Sequence, residues 1–227
     1  MTTQTQTARP AKQAAPPRMT QRERSERARG KLLDSAIDLI CENGFAGLRM
    51  SDIAARAGMT RGAIQHHFEG RDDVVIAILQ EVEDRISRGF DRSSIKPDMT
   101  IERRLDALIE QFARQAMSPD YLAVLDIWMT TRAEPELKEV VRESMLRASK
   151  RFSALWLETF EDQVPAKVIA DCRRLVVSVM RGAVFARILV TESRSFKLTV
   201  ATLKTMARTH MLGAMEAGED GAGGLDE

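Results

Sequence analysis

From Leu32 to Ala214 the apolar residues recur at intervals of three and four, and no stretch reads convincingly as a strand. That spacing lays apolar side chains along one face of a helix after another and predicts an all-α chain. Composition points the same way. Aromatic residues make up 5% of the chain, whereas Ala, Leu, Met, Arg and Glu, which suit helices, are abundant. With 227 residues, 44% of them hydrophobic, the chain can bury a real core, which excludes collagen-like, disulfide-framework and wholly disordered classes.

The apolar stretch at residues 184–190 is broken by Arg187, and no apolar run approaches the roughly 18 residues that a membrane-spanning helix needs. The first residues lack the apolar core of a secretory signal, so a cytoplasmic protein without membrane contact is expected. Cys41 and Cys172 stand apart, with no CxxC and no Cys/His cluster; the expectation is two small hydrophobes, no metal and no cofactor.

The formal charge of +1 conceals an asymmetry. Residues 1–71 carry 12 basic and 7 acidic side chains, a net +5, and the remainder is net negative with 22 against 26. Most of the excess lies in residues 1–31, where eight basic side chains face only Glu23 and Glu26. Counterion release draws such an arm to nucleic-acid phosphate; composition alone does not separate that role from a solvated tail.

Residues 1–19 have no apolar periodicity and are expected to be a disordered tail. A helix is expected from about Ser25, with Leu32, Leu33, Ala36, Ile37 and Ile40 inward and Asn43-Gly44 as its stop. Two short helical pieces follow, 50–57 and 61–68, around Gly58-Met59-Thr60. Arg71-Asp72-Asp73 opens a longer helix with acid at its positive end. Thr100 and Ser118-Pro119 read as the starts of two more, and a long stripe from Leu137 to Thr159 runs to a stop near Pro165.

The last two helices differ from the rest. Across 168–190 the polar residues Asp171, Arg174, Ser178 and Arg181 form one narrow row on an otherwise greasy helix, which must be covered on two sides. Paired with the next helix it could supply half of a four-helix bundle in a two-fold homodimer, with Val179, Ala183, Leu203, Ala207 and Met211 at the interface. A central helix buried within one subunit is the alternative. The Gly-rich acidic segment 218–227 reads as a flexible tail.

Residues 50–68 have the spacing of a helix-turn-helix. Ile53, Ala57, Met59, Ile64 and Phe68 are apolar anchors, Ala54 is small where two helices cross, and Gly58 sits at a turn that needs positive φ. The full string, Gly44-Phe45, Asp52-Ile53-Ala54, 57–64, His66-His67-Phe68 and Arg71, closely resembles the N-terminal domain of the TetR family of transcriptional regulators over roughly residues 25–79. Two positions depart from the family's pattern: Gln65 stands where Tyr is usual, and Leu48-Arg49 where Thr-Thr or Thr-Ser commonly caps a helix and holds a phosphate. Here Ser51 is expected to take the cap and Arg49 the phosphate.

Residue by residue, the chemistry fits a DNA reader. Thr60 is placed to cap the second helix and, with the backbone N–H groups of Arg61 and Gly62, to seat a phosphate. Arg61 projects where side chains meet base edges. Gly62 and Ala63 let the backbone approach closely, Gln65 can pair with adenine, and His66, His67 and Arg71 are expected to hold phosphates. The adjacent histidines point about 100° apart on a helix and cannot chelate one metal.

The resemblance implies two domains, a three-helix DNA-binding head at residues 20–71 and a helical ligand-binding and dimerisation domain at 72–217. It further implies a repressor that binds a palindromic operator in double-stranded DNA as a dimer and is released by a small apolar or amphipathic effector. Phe112, Trp128, Met129, Phe152, Trp156 and Met180 are the candidate ligand contacts, although core packing explains each of them equally well. Two other classes compete: a helical enzyme acting on a small apolar substrate, for which no GxSxG, P-loop, HExxH or dinucleotide motif is found, and a DNA-associated adaptor that recruits a partner through its last helices.

Overall fold

Helix α1 (Gln21–Asn43) opens on a capping box. The Thr20 hydroxyl accepts from the Glu23 amide at 3.2 Å, and the Glu23 carboxylate accepts from the Thr20 amide at 2.7 Å. The helix thus begins at Gln21 and not near Ser25. Its first turns are charged and exposed, so no apolar stripe announces them and only the polar cap does. The computed structural model describes residues 19–96, 98–189 and 193–216. The tails expected at 1–19 and 218–227 therefore lie outside the described residues, Met19 excepted, and so does Pro97.

Gly44, at φ +76°, ends α1 and turns the chain towards α2 (Met50–Arg56) and α3 (Arg61–His67). Neither short helix could persist alone. Ile53 and Ala54 of α2, Ile64 of α3 and the flanking Phe45, Leu48 and Phe68 are all buried against the Leu32, Leu33, Ala36, Ile37 and Ile40 face of α1. Arg56 forks onto the Glu42 carboxylate, with Nη1 at 2.6 Å, and ties the end of α2 to α1.

Helix α4 (Arg71–Gly89) carries Asp72 and Asp73 in its first turn and buries Val74, Val75, Ile78, Leu79 and Val82. Then follow α5 (Ile101–Ala116), capped by Thr100, α6 (Pro119–Thr130), capped by Ser118, and α7 (Pro135–Phe160). Helices α8 (Ala166–Leu189) and α9 (Ser193–Glu216) complete the fold. Among the described residues there is no strand.

Two apolar cores divide the molecule. The first joins α1 to α4 with Ala123, Val124 and Ile127 of α6 and Leu137 and Val141 of α7. The second joins α5, the Tyr121 and Leu125 side of α6, the far half of α7, and helices α8 and α9. Helix α6, Pro119–Thr130, is apolar around most of its circumference because both cores cover it. The expected division at 71/72 does not coincide with a break in the first core, which continues along α4 and into α6.

The final pair packs otherwise than its pattern suggested. Leu203 is 2% exposed, and Ala207 and Met211 are fully buried in the core of their own subunit. Helix α9 lies against α5 and α8 and spends its strongest apolar row on them. These three residues are therefore not available to a second copy. Val179 and Ala183 are half-buried, and the side chains turned outward are Leu198 and Met206, 59% and 54% exposed.

Candidate nucleic-acid interface and cavity

The turn between α2 and α3 is built as the residue types require. Gly58 has φ +67°, and the Met59 amide reaches back to the Ala54 carbonyl at 2.9 Å. The Thr60 hydroxyl accepts from the Ala63 amide at 3.2 Å and caps α3. Ile64 and Phe68 anchor that helix inward, which leaves Arg61, Gly62, Gln65 and His66 exposed and Ala63 and His67 half-buried along one outer face. A Cβ built on Gly62 would meet nothing nearer than the Thr60 hydroxyl at 3.9 Å, so nothing inside the chain demands glycine there.

One side chain missed in the sequence, Arg29, completes this face, and the surroundings of His67 alter it. Arg29 of α1 lies over the Phe68 ring, 5.6 Å from its centroid. Burial, helped by the charges of His66 and Arg29, holds His67 below the ordinary histidine pKa. The basic run in residues 1–31 was the available signal for Arg29, but only the packing of α1 selects it from its neighbours.

Two expectations at the head change. Ser51 does not cap α2; its hydroxyl donates to the Asp52 carboxylate at 3.1 Å, and the N-cap is Arg49, which makes no capping bond. Arg49 itself is exposed. Arg71 is not a free phosphate clamp: its guanidinium lies 4.0 Å from the centroid of the Phe45 ring, pairs with Glu134 at 3.2 Å and donates to the Phe45 carbonyl at 3.4 Å. A partner 63 residues away in sequence leaves no local signal.

Arg71 belongs to a clasp between the head and the helices behind it. The Asp126 carboxylate of α6 accepts from the Phe45 amide at 2.5 Å. Arg85 of α4 reaches Asp34 of α1 at 2.5 Å, Glu81 at 2.9 Å and Asp120 of α6 at 3.2 Å. Burial works against the Arg85 charge, but these carboxylates overcome it and hold the guanidinium well above its ordinary pKa.

Behind the clasp, helices α4 to α8 enclose a cavity of about 310 Å³. Of the six aromatic and Met candidates, Phe112, Trp128 and Phe152 line it. The other three do not. Met129 is 51% exposed on the outside of α6, Met180 is fully buried, and Trp156 is wedged between Phe152 and Phe160, with ring centroids 6.1 and 5.9 Å away. The polar lining was missed. Arg174, Ser178 and Arg181, three of the narrow polar row on α8, line the cavity together with Arg173, and Glu83 of α4 lies in the wall.

Burial disfavours the thiolate at both cysteines. Burial pushes Cys172 up to about 11, and it also raises Cys41, which is only half-buried. Among the described residues no group of three His, Cys, Asp or Glu side chains is placed to hold a metal, and no helix is long and apolar enough to cross a membrane.

Comparison with known proteins places this arrangement. The family described as bacterial regulatory proteins, tetR family, matches residues 32–78, which span α1 to α4. The HTH-type transcriptional regulator CymR of Pseudomonas putida is 31% identical over 146 residues, 63% of this chain and 70% of that protein. Among solved structures, the fatty acid degradation regulator FadR from Bacillus halodurans superposes with a TM-score of 0.60 at 20% identity, over 81% of this chain and 94% of its own. GusR of Salmonella enterica does so with a TM-score of 0.62 at 19% identity, over 82% and 96%. The two structures share the fold across nearly their whole length, and the matches in sequence extend past the helix-turn-helix. The chain belongs to the TetR family and is a DNA-binding transcriptional regulator.

Proposed function

We propose that this regulator is a repressor that binds a palindromic operator as a homodimer and lets go when a small amphipathic molecule enters the cavity. One observation carries the reading: the helices that line the cavity are the helices that hold the head. Helix α6 carries Tyr121, Val124 and Trp128 into the cavity and Asp126 onto Phe45. Helix α4 lines the cavity with Leu79, Val82 and Ile86, and its first residue is Arg71. A ligand that shifts either helix moves the clasp and therefore α3. It acts only through its preference for the conformation that does not bind operator.

In this reading residues 20–71 supply the DNA contacts and residues 72–217 the effector and dimer contacts. Arg61 and Gln65 read base edges, Gly62 and Ala63 admit the duplex closely, and Thr60, Arg49, His66 and His67 meet phosphate. The second copy docks on the outer groove between α8 and α9, lined by Val179, Leu198, Thr202 and Met206, and sets two recognition helices about 34 Å apart. Its place of work is the chromosome, in the cytoplasm.

The test is a footprint of the protein on the DNA flanking its own gene, followed by affinity for that site and for random duplex at matched salt. Preference for the site should be at least about 10³-fold, and Arg61→Ala should cost about 1–3 kcal/mol of it. Equal affinity for both duplexes would favour the adaptor reading, and a preference untouched by Arg61→Ala would move base readout elsewhere.

A further inference from the structure

Two arginines in the cavity have no carboxylate partner among the described residues. Arg173 and Arg181 of α8 both line it, and the Nε of each is buried without an acceptor. Elsewhere four half-buried or buried arginines have an acid: Arg71 has Glu134, Arg85 has Asp34, Glu81 and Asp120, Arg104 has Asp162, and Arg208 has Asp106, whereas Arg29 lies over the Phe68 ring. The one acid in the lining, Glu83, pairs with arginines of α7, although its Oε1 accepts no hydrogen bond. Glu83 lies 3.3 Å from Arg151 and 4.0 Å from Arg147, both on α7, and the third arginine of the lining, Arg174, pairs with Asp171 outside it. Arg181 instead stands over the Trp128 ring, 5.0 Å from its centroid, and meets the Tyr121 phenol. Burial first, then the positive charges of Arg174 and Arg181, depress the pKa of Arg173.

We infer that the cavity is built for an amphipathic monocarboxylate, whose carboxylate is held by Arg173 and Arg181 and whose apolar body lies among Phe90, Phe112 and Phe152. The inference rests on the effector reading above and names the class of effector. Two guanidinium groups without a counter-ion in a half-buried site are the arrangement that a bound carboxylate completes, since each can donate in parallel to its oxygens. The two residues are about 12 Å apart along α8, within reach of one another through their long side chains. The apolar end is equally defined: the Phe152 ring lies 4.9 Å from that of Phe112 and 5.6 Å from that of Phe90, centroid to centroid. A volume of about 310 Å³ is at the small end for ligand pockets, which fits a single-ring or short alkyl acid and not a nucleotide or a thioester of one.

The experiment is calorimetric titration of the full chain, without DNA, with matched probes: 4-phenylbutanoate, its primary amide, 4-phenylbutylamine, and octanoate. The acids should bind at least about tenfold tighter than the amide, and the amine should not bind. Arg181→Met and Arg173→Met, which keep the apolar stem, should each erase that preference while leaving the amide's affinity as it was. Their melting temperatures, equal to or above that of the parent chain, show that the fold persists. Equal binding of acid and amide, tighter binding of the amine, an acid preference that survives both substitutions, or no binding by either acid each overturns the inference. The effector reading fails separately: an acid that binds through these arginines but leaves operator affinity unchanged upholds the carboxylate site and removes its regulatory role.

Discussion

Gly62 and His67 show how much of the DNA-facing chemistry sits in single residues. Nothing in the fold needs Gly62 to be glycine, and glycine costs a helix interior about 0.5–1 kcal/mol relative to alanine. Gly62→Ala should therefore raise thermal stability slightly yet weaken operator binding, if the duplex approaches the backbone there; a variant that melts higher and binds unchanged would remove that contact. His67 titrates below the usual histidine range in the free chain because it is half-buried beside His66 and Arg29. A phosphate oxygen opposite it would raise that pKa, so the complex takes up a proton and affinity should increase as pH falls from about 7.5 to about 6. His67→Gln should flatten the slope, and parallel profiles for the two proteins would mean that His67 does not face phosphate. Thr60 and Gly58 were legible as a cap and a turn because each acts on backbone within a few residues of itself. Arg71 was not, since its partners are Glu134 and Phe45.

At the scale of elements, a repeat of three and four says that a helix has an apolar face but not which neighbour covers it. Helix α9 makes the point. Its row of Leu203, Ala207 and Met211 was legible and lies inside the subunit, against α5 and α8, whereas the outward positions are the weaker row of Leu198 and Met206. The two rows should respond differently. Leu203→Glu buries an unpaired charge and should cost more than about 3 kcal/mol, seen as loss of cooperative melting. Met206→Glu should keep the melt and yield monomers by light scattering, with operator affinity lost; dimers that survive it would place the interface away from the α8 and α9 groove. Helix α8 holds the reverse lesson. Its narrow polar row was legible, but not that Arg181 and the exposed Ser178 border a cavity, because five helices brought together from separate parts of the chain make that space.

For the whole molecule the decisive feature is that the head and the cavity share helices. The Asp126 carboxylate bridges them through one charge-assisted bond to the Phe45 amide. Asp126→Ala should cost about 1.5–3 kcal/mol of stability, as loss of a hydrogen bond to a charged group does. It should also shrink the effector's influence on operator affinity while leaving effector affinity in the absence of DNA nearly intact, a split that titration calorimetry and operator binding with and without effector resolve. An undiminished response would route the coupling through Arg71 and α4 alone.

The sequence by itself determined the helices, the caps at Thr60, Thr100 and Ser118, the turn at Gly58 and the exposed face of α3, because each depends on residues a turn or so apart. Only the tertiary structure decided that Arg71 and Asp126 clasp the head, that Trp156 and Met180 are packing while Trp128 and Phe152 line a cavity, and that Arg173 and Arg181 stand there with no carboxylate partner among the described residues. Those outcomes depend on groups brought together from separate helices, and local spacing carries no information about where a remote surface will come to rest.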